Sequence, residues 1–198
     1  MNTNQEVKLS SAEKAEYLYQ SIADLQGTIR AIDAKIAVLM VILSLPFSIF
    51  GKIYSRFFQI SVMPSSCAEV SSYLLFGTFA VLWFLSFAAA LQGIIGIDNP
   101  TEHIDRGGVS IKGSFYNSAL FKLSFHCILR NKKEIKSLRT LNEQVSILPK
   151  TESDLLNELS FEQMKLSYIR DMKQKRQYWA YRLAAIWLFA GLGIYIVI

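Results

Sequence analysis

Three uncharged apolar windows constrain this chain more than anything else in it: residues 36–51, 70–97 and 183–198, with 16, 28 and 16 residues. A helix rises about 1.5 Å per residue, so the middle window can cross a hydrocarbon core of roughly 30 Å, while each outer one reaches about 24 Å by itself. Flanking side chains make up the difference. Lys35 and Lys52 bracket the first window and Arg182 precedes the third, where long cationic stems reach the headgroups while Tyr178, Trp179 and Tyr181 sit at their level. A soluble protein of 198 residues that buried three such helices would have too little polar chain left to cover them. The 52% hydrophobic content and mean hydropathy of +0.26 agree. The expectation is an all-α integral membrane protein with three transmembrane helices, its N- and C-terminal helices extending as cytoplasmic stalks around a small helical insert.

Lysine and arginine set the orientation. Four precede the first window, two (Lys52 and Arg56) fall in the short loop after it, and fifteen lie between residues 98 and 182. The six nearest the third window, Lys165, Arg170, Lys173, Lys175, Arg176 and Arg182, crowd one helix end, and cytoplasmic segments carry that excess. The division expected is a cytoplasmic amphipathic helix at 1–35, a first span at 36–53, an external loop at 54–72, and a second span at 73–97. A cytoplasmic sensor region at 98–177 and a third span at 178–198 follow. The location expected is the inner membrane, multi-pass, with the N-terminus cytoplasmic. Residues 1–33 are charged throughout and carry no early apolar core, so no cleavable signal is expected. The basic balance, +5 in all, reads as topology and membrane-surface charge rather than as a nucleic-acid footprint. Cys67 and Cys127 fall on opposite sides of the membrane and cannot pair within one chain.

Before the first window, apolar residues recur at Ala15, Leu18, Ile22, Leu25, Ile29, Ile32, Ile36 and Leu39, in alternating steps of three and four. That is a heptad seam, and Ser10 with Glu13 offers a capping box at its start. The seam runs into the membrane window without a breaker and needs a partner helix. The best partner is the segment from 151 onward, with Thr151 and Asp154 or Ser160 and Gln163 as its cap and an apolar side of Leu155, Leu159, Leu166, Ile169 and Met172. Between the stalks, "IDNPTEHIDRGGVSIKG" is turn-rich and "NKKEIKSLRTLNEQVSIL" reads as a helix. In the second span Ser86 with Ala90, and Ala89 with Gly93, form small-xxx-small pairs that let helix backbones approach; Gly191 and Gly193 serve the third. The three apolar windows hold no Asp, Glu, Lys, Arg or His, which argues against an ion pathway.

Catalytic motifs fail. Residues 108–112 miss a nucleophile elbow because Lys112 stands where Gly is required, and residues 108–113 have Walker spacing but continue as Ser114 and Phe115 instead of Lys and Ser or Thr. His103, His126 and Cys127 make an incomplete metal set, and Glu102 and Asp105 read as solvated turn residues. No catalytic residue, metal or cofactor is expected. What remains is a ligand surface: Arg106, Gly107, Gly108 and Lys112 combine glycine amides with cations, a chemistry that suits phosphate, and Tyr116 is near enough in sequence to stack on a ring.

The order of parts resembles the transmembrane effectors of bacterial Pycsar antiphage systems. The resemblance lies in "IRAIDAKIAVLMVILSL", which introduces the first span, and in "LSYIRDMKQKRQYWAYRLAAIWL", a basic, tyrosine-containing helix that enters the last. It implies a homo-oligomeric, non-enzymatic protein that senses a cyclic mononucleotide, cyclic UMP or cyclic CMP, made by a partner cyclase after phage infection, and then disrupts the inner membrane. The competing expectation is a membrane adaptor, also without catalytic activity, whose coiled-coil-like stalks bind a protein partner.

Overall fold

A computed structural model describes residues 9–61, 66–96, 100–109, 111, 113 and 137–197. It is mostly helical, and no strand forms among the described residues. Helix α1 is Ser11–Ser61, α2 is Ser66–Ile94, α3 is the short Leu141–Ser146 and α4 is Glu152–Val197. A 3-10 turn, Pro100–His103, follows α2.

The starts of α1, α3 and α4 each have a local cause. The Ser10 backbone N–H donates to Glu13 Oε2 at 2.7 Å and the Glu13 N–H donates to Ser10 Oγ at 3.3 Å, the reciprocal pair expected of the capping box. That backbone bond, and then the Ser10 hydroxyl, hold the Glu13 carboxyl below its ordinary value. Thr151, not Ser160, caps α4: the Asp154 N–H donates to Thr151 Oγ1 at 3.1 Å, and Ser160 lies exposed inside the helix. The helix expected across "NKKEIKSLRTLNEQVSIL" is confined, among the described residues, to the six of α3. Thr140 closes a capping box with Glu143, so the chain from Ser137 to this cap is non-helical.

The chain divides into two compact units, Met1–Leu25 with Pro100–Ser167, and Gln26–Asn99 with Tyr168–Ile198. Helices α1 and α4 each contribute to both. In the first unit Ile22, Leu25, Leu159, Phe161 and Leu166 are buried, and Gln163 Nε2 donates to Ser21 Oγ at 2.7 Å, so the two stalk helices pair within one chain.

The second unit packs α1, α2 and α4 around Ile32, Ile36, Leu39, Leu43, Ala90, Ala180, Ala184 and Trp187. The seam therefore continues past Leu39 to Leu43. Outward, the same helices are apolar: Val38, Val41 and Phe47 on α1, Leu74, Val81 and Phe84 on α2, and Ile186, Phe189 and Leu192 on α4 are all exposed. Two helices, α1 and α2, are long and apolar enough to cross a membrane. Only 22% and 11% of their most apolar 18-residue stretches is buried, whereas the core helix of a soluble protein would be mostly covered.

Candidate functional site

In the first unit the glycine turn is built from local chemistry. The Gly107 N–H donates to Asp105 Oδ1 at 2.9 Å, and the Val109 N–H donates to the Arg106 carbonyl at 3.0 Å. Gly107 and Gly108 take φ of 54° and 79°, a region that side chains with a Cβ rarely enter. The Arg106 guanidinium, on the exposed side of this turn, lies 5.4 Å from the Phe161 ring centroid, and Lys165 Nζ lies 5.5 Å from the same ring. Phe161 is buried beneath them. Lys165 is also paired with Glu162, both of them buried, and Glu158 accepts the Gly113 N–H at 3.0 Å. Arg106, Gly107 and Gly108 thus come together on α4, while Lys112 and Tyr116 lie outside the described residues. A phosphate arriving here competes with Asp105 for the Gly107 amide, and Arg106 is the cation that the turn presents.

In the second unit the helices meet through the small residues. Ser86 and Ala90 are fully buried, and a Cβ on Gly93 would stand 2.7 Å from Ile36 Cδ1, so the seam's own isoleucine fills the space that the missing side chain leaves. Gly191 makes the same accommodation for Phe79, at 2.9 Å. Pro46 interrupts the hydrogen-bond ladder of α1, and one turn away Trp83 Nε1 donates to the Leu43 carbonyl at 2.8 Å, its ring meeting Phe47 edge-on at 4.9 Å.

A polar belt joins the three helices. Lys173 pairs with Asp33, Arg176 Nη1 donates to the Gln92 carbonyl in the last turn of α2 at 2.7 Å, and Tyr181 donates to the Lys35 carbonyl at 3.3 Å. A cation on the carbonyl end of α2 also complements the helix dipole. The expected anchors all lie at the surface: Lys35, Lys52 and Arg182 are exposed, as is Trp179, and Arg182 stacks over Tyr178 at 4.5 Å and Trp179 at 6.0 Å.

Phe161, Glu158, Glu162, Lys165, Asp33 and Lys173 were not evident as site residues in the sequence. For Glu158, Glu162, Lys165 and Lys173 the signal was the irregularity of the α4 seam, where charged residues occupy positions that continue the buried face. Comparison with protein-family models, curated proteins and solved structures finds no match for this chain.

Proposed function

We propose that the chain is an integral membrane effector of a bacterial antiphage nucleotide-signalling system, with three spans, a cytoplasmic N-terminus and no catalytic centre. Its cytoplasmic unit takes up a cyclic mononucleotide, cyclic UMP or cyclic CMP, and a homo-oligomer then impairs the inner membrane. The observation that carries the reading is α1. One helix of 51 residues has a single buried seam that starts in an amphipathic segment and ends among apolar outer faces, so packing at its two ends belongs to one element. The third span is the end of α4, where Ala180, Ala184 and Trp187 share a core with the other two spans while Ile186, Phe189 and Leu192 face outward. The adaptor reading is weaker, because the seam it needs for a partner protein is already filled by the chain's own helices.

A thermal-shift titration of the detergent-solubilised protein against cyclic UMP, cyclic CMP and cyclic AMP tests the ligand. Selective binding to the folded state is expected to stabilise it by about 2.7 kcal/mol at a hundredfold excess over Kd. Arg106→Ala should weaken the response, and Asp105→Ala, which removes the competing carboxylate, should strengthen it. No response to any of the three contradicts the reading.

A further inference from the structure

The face of α4 that turns away from the other helices carries an ordered sequence of chemistries. Lys175, Tyr178, Trp179 and Arg182 follow at helical spacing and are all exposed, and Ile186 and Phe189 continue the same stripe, 53% and 74% exposed. The other cations of this stretch are committed to the protein: Lys173 is buried against Asp33, and Arg176 holds the Gln92 carbonyl. Neither Lys175 nor Arg182 makes an ion pair among the described residues, and no Asp or Glu occurs after Asp171 to oppose them. The two rings beneath Arg182 hold its guanidinium at the head of the apolar stripe, and they leave its N–H edge available to an anion.

We propose that this stripe is a binding site for an anionic phospholipid, with Lys175 and Arg182 on its headgroup, Tyr178 and Trp179 packed between the two cations and Ile186 with Phe189 along the acyl chain. The proposal rests on the reading of α4 as the third span. Charge complementarity and the head-to-tail order of the stripe select this occupant over a protein partner, which would not require cations and apolar rings to be arranged along one axis. Selectivity, rather than membrane binding in general, is what the two cations supply.

The test is native mass spectrometry of the full chain in micelles containing equal amounts of phosphatidylglycerol and phosphatidylcholine. The wild type is expected to retain phosphatidylglycerol preferentially, and K175Q/R182Q to lose that preference, each surface cation changing affinity about fivefold. K175R/R182K, which keeps both charges, should keep the preference. Equal retention of the two lipids by the wild type, or an undiminished preference in K175Q/R182Q, overturns the proposal, as does displacement of the bound lipid by inorganic phosphate. Alkaline carbonate extraction of membranes separates the two readings: protein that stays in the pellet without lipid preference defeats the lipid site alone, and protein that is released defeats the membrane reading with it.

Discussion

Gly93 and Gly77 lie on the same helix but stand in opposite situations. A Cβ on Gly93 meets Ile36, itself fully buried, whereas nothing lies within 4 Å of one on Gly77. Gly93→Leu is therefore expected to lower stability in detergent by about 1–3 kcal/mol and Gly77→Leu to be tolerated, measured as the thermal unfolding midpoint. Two tryptophans of the second unit, the half-buried Trp83 and the buried Trp187, divide in the same way. Trp83→Phe removes the bond to the Leu43 carbonyl, a loss of about 1 kcal/mol, while Trp187 Nε1 has no partner among the described residues, so Trp187→Phe gives up area but none of their hydrogen bonds. At the start of α1 the sign of the pH dependence follows from the bonds Glu13 accepts. Its folded carboxyl is held below 4.5, so the cap's contribution is complete above that value and is lost as pH falls through the lowered one. The first turn should fray in acid, by Cα chemical shifts, and E13Q should remove the pH dependence.

Among the elements, α1 and α4 are tied by an ion pair that is unequally covered: the Lys173 side chain is 9% exposed and that of Asp33 is 43%. Removing Asp33 leaves a nearly buried cation without its partner, so D33N is expected to cost about 2 kcal/mol, between a surface pair and a fully buried one. D33N/K173M should recover most of that loss, because an apolar side chain needs no counter-charge in the same slot. The seam of α1 was legible in the sequence because every position from Ala15 to Leu39 in steps of three and four is apolar, and each is buried or half-buried in the structure. That of α4 was only half legible. Glu158, Glu162, Lys165 and Lys173 are buried on its packed face, and a pattern read from apolar residues passes over positions whose burial depends on pairing across space. The glycine turn was found by composition, but its own Asp105 occupying the Gly107 amide was not, since that bond depends on the turn's backbone conformation rather than on residue type.

Taken whole, the second unit is apolar within and without: Ile36, Leu43, Ala90, Ala184 and Trp187 meet at its centre, and further large apolar side chains face outward. Outer faces of that kind suit an apolar surrounding, and α1 and α2 are long and apolar enough to cross a membrane. On the proposed function, a cyclic pyrimidine mononucleotide turns a membrane that holds this protein from sealed to leaking. Release of an encapsulated dye from vesicles reconstituted with the full chain measures it most directly. Vesicles should stay sealed without nucleotide and empty when either cyclic UMP or cyclic CMP is added, with cyclic AMP inert. Vesicles that remain sealed with every nucleotide, or that leak equally without any, would contradict it.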